Sequence, residues 1–159
     1  MSRDYNDVIN HINTLIDSFN EQLKSFKINK LESNYDSNPK YLSFKEKEFK
    51  QYTYPANADK KGVYFFMGYN ITEHSKTCLY IGKASNNNSI GSRLDNYLIN
   101  AELQHHVEDY FHYKGNQLIA YLTFIDFPNE YRFFAPALEE FLILNWNNPN
   151  CDLLNSVGR

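Results

Sequence analysis

Apolar residues recur at intervals of three and four positions through the first part of the chain, and polar residues fill the positions between them. This spacing places apolar side chains on one side of an α-helix. It therefore predicts an amphipathic helix over residues 6–27, whose apolar face packs on the core or on a partner chain. The apolar positions are Val8, Ile9, Ile12, Leu15, Ile16, Phe19, Leu23 and Phe26.

The next stretch of the chain lacks this pattern. Residues 28–43 are rich in Asn, Ser and Pro, which predicts a loop. Residues 44–61 are rich in Lys with alternating charge and predict a short helix followed by an extended segment near Tyr54-Pro55. The extended segment is expected because the residue before a proline disfavours the helical conformation.

From Gly62 onward the pattern becomes typical of β-strands. Residues 62–69, 76–83 and 118–127 are aromatic and apolar runs, which favour strands. The polar residues 70–75 join the first two runs and predict a hairpin with a long loop.

Helices are predicted after the second strand and after the third. A Ser or Asn within residues 85–89 provides an N-cap for one or two helices over residues 90–112. Pro136 opens a further helix that continues to about Trp146, since proline is tolerated at the first helical position. The proline-containing turn at residues 148–150 stops this helix, and the tail to the C-terminus is predicted to be loop.

The order of these elements predicts an α/β (α+β) fold, in which helices flank a small central sheet of three mostly antiparallel strands. Residues 1–61 form an N-terminal helix and a Lys-rich connecting segment, and residues 62–159 form the sheet domain. The length of 159 residues and the hydrophobic content of 42% suit one domain with a sizeable core.

Composition also excludes some classes of protein. No run of about 18 or more apolar residues is present, so no transmembrane helix and no membrane partner are expected. The N-terminus lacks the apolar stretch of a secretory signal. Cys78 and Cys151 lack metal-ligand spacing and are interpreted as reduced thiols of a cytoplasmic protein.

The net charge of −3 argues against strong nonspecific binding to nucleic acid. Residues 1–61 hold ten Lys and Arg against nine Asp and Glu, a balance of +1, whereas residues 62–159 hold six against ten, a balance of −4. Any contact of residues 62–159 with nucleic acid would have to come from a local patch around Lys83 and Arg93, helped by the lysines at 40, 45, 47, 50, 60 and 61.

Two tyrosines stand in short strings that contain glycine, Gly62-x-Tyr64 and Tyr80-x-Gly82. Because side chains alternate faces along a strand, pairing of the two strands can bring both phenols to one face. A cross-strand aromatic pair without a catalytic role gives the same pattern. The two glycines favour a site, since glycine within a strand often permits the close approach of another chain or a ligand.

Two cations follow the second string. Lys83 comes directly after Gly82, where a strand ends, and Arg93 begins the next helix. A guanidinium group there can grip two phosphate oxygens in a fork. If the two cations belong to no site, Lys83 is an exposed lysine and Arg93 is a solvated arginine that pairs with Asp95 or Glu102.

Glu139 and Glu140 are neighbours on a strongly apolar helix. Adjacent helical residues diverge by about 100°, so only one of the two can face a site near the core. Glu139 lies on the side of Leu142 and Ile143, and Glu140 lies nearer the outer face. A carboxylate beside an apolar stripe is unfavourable unless it is paired or bound to a metal, and Mg²⁺ uses one or two carboxylates together with waters and phosphate oxygens.

Taken in order, these strings resemble the GIY-YIG nuclease family. Its pattern is a Gly-x-Tyr strand, a Tyr-x-Gly strand, a helix with an Arg, a later helix with a Glu, and a downstream Asn. The resemblance covers roughly residues 62–155, and with Arg93 and Tyr97 the chain is similar to the nuclease module of the bacterial excision-repair incision subunit. It implies that Glu139 binds the metal and that Asn155 is the final Asn.

The resemblance further implies direct hydrolysis of a phosphodiester with one Mg²⁺ (or Mn²⁺) ion held by Glu139. Tyr64 would position or deprotonate the attacking water with help from Lys83. Arg93 would stabilise the charge of the transition state, and Tyr80 and Asn155 would order the site.

The expected function is a Mg²⁺-dependent DNA endonuclease, whose small size and single module suit a restriction-like or mobile-element enzyme. A structure-specific repair nuclease shares the same chemistry. The alternative is a noncatalytic nucleic-acid- or protein-binding domain on the same fold, which the acidic balance of residues 62–159 favours. The expected partner is DNA, and the helix at 6–27 either forms a homodimer, as a palindromic cutter needs, or braces the sheet.

Overall fold

The computed structural model describes residues 5–32, 40–43, 59–69, 76–93, 112–114 and 117–156. Sequence predictions that concern residues 44–58, 70–75 and 94–111 lie outside the described residues. The helices are α1 (Asn6–Glu21) and α2 (Phe134–Leu144), with a helical turn at residues 90–93 and short 3₁₀ turns at Asn129–Tyr131 and Leu154–Ser156. The strands are β1 (Lys40–Ser43), β2 (Lys61–Tyr69), β3 (Thr77–Ala84), β4 (His112–Lys114), β5 (Gln117–Phe127) and β6 (Cys151–Leu153).

The strands of the described residues form one sheet in the order β1-β5-β2-β3-β6, with β4 paired to β5. β6 runs parallel to β3, and the other neighbouring strands are antiparallel. The predicted mixed α+β class is therefore confirmed. The three predicted strands correspond to β2, β3 and β5, which occupy the centre of the sheet.

The predicted count of three strands was wrong, because β1, β4 and β6 enlarge the sheet. β1 lies in a segment predicted to be loop, β6 lies in the predicted C-terminal loop, and β4 begins at His112, within a predicted helix. Each of these strands is only three or four residues long. Strands this short carry no alternation pattern of their own, and the pairing edge of a longer neighbour decides where they form.

The pairing of β2 with β3 sets Tyr64 opposite Gly82 and Phe66 opposite Tyr80. Since side chains alternate along each strand, one face of the hairpin carries Tyr64, Phe66 and Tyr80; we call it the tyrosine face. The opposite face, which we call the helix face, belongs to the main hydrophobic cluster and carries Val63, Phe65, Met67, Leu79 and Ile81.

Both long helices pack on the helix face. The apolar residues of α1 and α2 share one buried cluster with the strand residues of that face, so the apolar side of α1 is used within the chain, where it braces the sheet. A homodimer through α1 stays a prediction, and it would need a different side of the helix. The helical members of the cluster are Val8, Ile9, Ile12, Ile16, Phe19, Ala135, Leu138 and Leu142.

Helix α1 ends at Glu21, six residues before the predicted end at residue 27. Residues 22–32, which we call the return segment, run back along the helix. The side-chain amide of Asn20 donates to the carbonyl of Ile28 (2.9 Å) and accepts from its N–H (2.7 Å). Asn13 makes the same pair of bonds with Leu31, at 2.9 and 2.7 Å.

The spacing of these two clamps follows from backbone geometry. Asn13 and Asn20 are two helical turns apart, or about 10.5 Å along the axis. Ile28 and Leu31 are three residues apart, which spans about 10 Å of extended chain. The apolar period continues to Phe26 because residues of the return segment also pack against the core, and this continuation led to the overlong helix prediction.

Helix α2 begins at Phe134, so Pro136 is its third residue instead of its first. The first-turn N–H groups of a helix have no partner within the helix, so proline is accommodated there as well. The helix ends at Leu144, slightly before the predicted end at about Trp146. In the described part of the chain, no helix combines the length and the apolar character needed to cross a bilayer.

Candidate active site at the end of strand β3

The two glycines of the tyrosine strings each make room for another part of the same chain. A Cβ atom at Gly82 would lie on the phenol ring of Tyr64, and a Cβ atom at Gly62 would lie on the backbone carbonyl of Ile125 in β5. The sequence predicted the close approach of another chain or a ligand at these glycines, but in the structure the space is taken by the chain's own Tyr64 and Ile125. Gly62 allows β2 to meet β5, and Gly82 gives the Tyr64 ring its place.

The two phenols lie on the same face, as the alternation of side chains predicted. Phe66 stands between them, with its ring centre 5.7 Å from that of Tyr64 and 6.3 Å from that of Tyr80. Tyr64 is completely buried, whereas Tyr80 is partly exposed. Of the two phenols, Tyr80 is therefore the one that a substrate can reach from solvent.

Lys83 and Glu139 form an ion pair beside the end of β3. The Lys83 ammonium donates to Oε2 of Glu139 at 2.6 Å, although the two residues are 56 positions apart in the sequence. The Glu139 side chain is 16% exposed and the Lys83 side chain is 42% exposed. Glu140 is exposed, so the glutamate predicted to face inward is the one that does so.

The sheet separates this ion pair from the phenols. Lys83 is opposite Val63 in the strand pairing, which puts it on the helix face, and Glu139 belongs to α2, which covers that face. Tyr64 and Tyr80 lie on the tyrosine face. Lys83 was predicted to assist Tyr64, but its contact in the structure is Glu139. A substrate that touches both sets must wrap around the end of β3.

Asn155 is fixed to the middle of the second tyrosine string. Its side-chain oxygen accepts the N–H of Ile81 at 2.8 Å, and its side-chain NH₂ donates to the carbonyl of Ile81 at 2.5 Å. These bonds continue the pairing of β6 with β3, which ends at Leu153. Asn155 therefore sets the position of Ile81, between Tyr80 and Gly82, as the predicted ordering role requires.

Arg93 belongs to the helical turn at residues 90–93, and its side chain is partly buried. Ser89 caps this turn, because its hydroxyl accepts the N–H of Ser92 at 3.1 Å and the Ser92 hydroxyl accepts the N–H of Ser89 at 2.8 Å. The cap confirms the predicted helix start. A bond from the Ile90 N–H to the carbonyl of Lys60 (2.9 Å) ties the turn to the start of β2. Tyr97 lies outside the described residues.

The chemistry of the donors limits the metal that this site suits. Oε2 of Glu139 accepts from Lys83, and Oε1 has no hydrogen-bond or ion-pair partner among the described residues. No group of three or more His, Cys, Asp and Glu side chains converges within the described residues. A single carboxylate fits Mg²⁺ or Mn²⁺ completed by waters and phosphate oxygens, and it does not fit the closed ligand set of a structural zinc site.

Comparison of the chain with protein families, with curated proteins and with solved structures found no match. The chemistry of the site therefore rests on the residues of this chain. Two features escaped the sequence analysis. The contact between Lys83 and Glu139 left no signal, since the two residues are far apart in sequence. The separation of Lys83 from the phenols could have been found in the sequence. Tyr80 and Lys83 are three residues apart, and an odd spacing in a strand places two side chains on opposite faces.

Proposed function

We propose that the chain is a metal-dependent endonuclease of the GIY-YIG type that hydrolyses DNA. The observation that supports it best is convergence at one end of β3. Lys83 follows the Tyr80-x-Gly82 string, Glu139 reaches it from α2, and Asn155 holds the string from the C-terminal side. Helix α2 is mostly apolar, and the carboxylate that it turns toward this point, Glu139, is 16% exposed.

The proposed chemistry assigns a task to each residue. Glu139 would hold a Mg²⁺ or Mn²⁺ ion, which when bound polarises the scissile phosphate and stabilises the leaving oxygen. Lys83 orients the Glu139 carboxylate and adds positive charge beside the phosphate. Arg93 grips the phosphate oxygens and stabilises the charge of the transition state.

The two tyrosines divide the remaining work. The resemblance assigned the attacking water to Tyr64, but Tyr64 is buried and Tyr80 is partly exposed. We therefore propose that Tyr80 contacts the bound substrate on the tyrosine face, away from the phosphate at Glu139, and that Tyr64 holds the tyrosine face in place through Phe66. Asn155 fixes the backbone on which Tyr80 stands.

The same resemblance predicts a GIY-YIG-like sheet of three antiparallel strands. The described strands form a larger mixed sheet, and we propose that its adjacent antiparallel strands β5, β2 and β3 are the counterpart of that trio, with β1, β4 and β6 as additions. We place the activity in the cytoplasm, where the free thiols of Cys78 and Cys151 remain reduced. The choice among restriction, mobile-element and repair roles depends on the preferred substrate.

The test is cleavage of supercoiled plasmid and of branched DNA by the purified protein, with Mg²⁺ and with EDTA. We expect Mg²⁺-dependent cleavage that Glu139→Ala reduces by at least about 10²-fold, the scale of losing one group that stabilises the transition state. Glu140→Ala is the matched control, because it removes a neighbouring carboxylate that is exposed. Full cleavage by Glu139→Ala would remove Glu139 from the site.

A second candidate is a noncatalytic binding domain on the same fold. Complete burial of Tyr64 and the acidic balance of residues 62–159 favour it. In that case, folded wild-type protein would cleave neither substrate under any metal condition, and Glu139→Ala would bind DNA or a protein partner as well as wild type does.

A further inference from the structure

An exposed aromatic ring stands at the start of α2. In the described part of the chain, the large apolar side chains that are exposed are Phe133, at 61%, and Leu144, at 70%. The Phe133 ring packs on Phe134, with ring centres 4.5 Å apart. Phe134 in turn contacts Phe26 and Tyr131, whose rings stack at 4.1 Å. The exposed ring is therefore supported from behind by a packed aromatic cluster.

The neighbouring residue, Arg132, lies two residues before the start of α2 and seven residues before Glu139. The backbone of Arg132 and Phe133 is already helical, with φ and ψ of −56° and −24° and of −69° and −14°. Seven residues make two helical turns, so α-helical geometry continued back to Arg132 would place it about 10 Å from Glu139 along the axis and within about 20° of its direction. Pro136 lies between them on this side.

The charges around this end of α2 suit a phosphate. Arg132 is exposed, and its guanidinium has no carboxylate partner among the described residues. The first turn of α2 carries no acidic residue, so the positive end of the helix dipole is not neutralised there. Lys24 and Lys27 are exposed on either side of Phe26. Glu130, in the preceding 3₁₀ turn, is the exposed acidic residue nearest in sequence.

We propose that Arg132 and Phe133 extend the site at Lys83 and Glu139 into a binding surface for an unpaired nucleotide of DNA. Arg132 binds a phosphate that flanks the scissile one, and Phe133 stacks on the exposed base. A supported ring suits this task for two reasons. Every base has an aromatic face that can stack on it, and a ring that is already fixed loses little conformational entropy when the base stacks. The choice of DNA as the ligand rests on the proposed nuclease function. The stacking surface makes single-stranded or branched DNA the preferred substrate.

The test measures binding by fluorescence anisotropy in EDTA, with a fluorescein-labelled single strand and with the blunt duplex of the same sequence. We expect Phe133→Ala to weaken binding of the single strand about 5- to 100-fold, which corresponds to losing one base stack. Binding of the duplex should change less than about twofold. Leu144→Ala is the matched control, because it removes the other exposed apolar side chain, and it should bind both forms as wild type does.

Two further variants separate the parts of the surface. Phe133→Leu keeps an apolar side chain but has no aromatic face, so it should lose as much affinity as Phe133→Ala; full affinity would overturn the stacking role. Arg132→Gln should weaken binding of both DNA forms and lower the salt slope by about 1, as expected for one phosphate contact. Unfolding midpoints equal to wild type show that each variant is folded.

The outcomes also distinguish this surface from the nuclease itself. Single-strand binding that ignores Phe133, or wild-type protein that binds neither form or prefers the duplex, overturns the inference even if Glu139-dependent cleavage is observed. Conversely, Phe133-dependent binding of the single strand without any cleavage supports the binding surface and contradicts only the nuclease proposal.

Discussion

The two faces of the β2–β3 hairpin are built from the same strands but differ in almost every other respect. The helix face is largely apolar and covered by two helices, and the ion pair of Lys83 and Glu139 lies at its end. The tyrosine face carries aromatic rings, and one of them rests on a glycine. A string such as Tyr80-x-Gly82-Lys83 therefore serves two faces at once. Residues that look like one cluster in the sequence divide between the two faces according to odd and even positions.

Replacing Gly82 tests the tyrosine face and should have the largest effect. In Gly82→Ala the new methyl group would overlap the buried Tyr64 ring, so either the ring or the strand pairing must shift. We expect the free energy of unfolding to fall by about 3 kcal/mol or more, the upper range of overpacking. Chemical denaturation measures it.

A double substitution provides the control for that prediction. Tyr64→Leu removes the ring that the methyl group meets, so Gly82→Ala should cost clearly less in the Tyr64→Leu background than in wild type. Equal costs in the two backgrounds would mean that backbone conformation, and not the Tyr64 ring, requires glycine at this position.

Replacing Lys83 tests the helix face, and its effect should divide unequally between activity and stability. Lys83→Met keeps the length of the side chain and removes its charge, so cleavage should fall about 10²-fold, as for loss of one charged group near the reacting phosphate. The free energy of unfolding should fall by about 1 to 2 kcal/mol, because solvent screens the 42% exposed Lys83 but the 16% exposed Glu139 loses its counter-charge. A variant with normal cleavage and a much lower stability would assign the ion pair to the fold.

Replacing Asn155 tests the edge that both faces share. Asn155→Ala would leave the N–H and carbonyl of Ile81 without their side-chain partners. The free energy of unfolding should fall by about 2 kcal/mol, as expected for two partly buried hydrogen bonds. Asn155→Asp keeps the acceptor but sets a carboxylate oxygen against the Ile81 carbonyl, so denaturation should show at least as large a loss. An Asn155→Ala protein of wild-type stability would contradict the clamp.

The smallest predicted effect is a pH dependence of the free energy of unfolding that arises from His11 in α1. His11 packs edge-on against Trp146, with ring centres 4.8 Å apart. Burial lowers the pKa of His11 below its ordinary value of 6.5, and a hydrogen bond with Asn147 opposes this shift. Below pH 6.5 the unfolded chain binds this proton first, so stability is complete above pH 6.5 and declines as the pH falls toward the lowered value.

Denaturation at a series of pH values measures this dependence. His11→Gln should remove the part of the slope that lies just below pH 6.5, whereas replacement of the exposed Glu140 should leave it. An unchanged slope in His11→Gln would assign the dependence to other groups.

The sequence predicted those parts of the fold that depend on local patterns. The strands predicted at 62–69, 76–83 and 118–127 each lie within one residue of β2, β3 and β5. The inward direction of Glu139 followed from the 100° turn between helical neighbours. Such predictions succeed because the information lies within a few residues of the position concerned.

Contacts between distant residues could not be predicted in this way. The partner of Lys83 depends on how α2 crosses the sheet, and the short strands depend on which edges are left open. The end of α1 was misplaced because Phe26 fits the helical period and yet belongs to the return segment. The division of the candidate site between two faces required only the alternation rule, applied to Lys83 as well as to the tyrosines.

The asparagine clamps have a consequence for the exchange of backbone amide protons with solvent. The amides of Ile28 and Leu31 lie outside every helix and strand, yet each donates to an asparagine oxygen at 2.7 Å. In heavy water they should keep their protons much longer than the exposed neighbours Asn29 and Lys30. Two slowly exchanging amides three residues apart, in a segment without regular structure, would thus report directly that the return segment is closed onto α1.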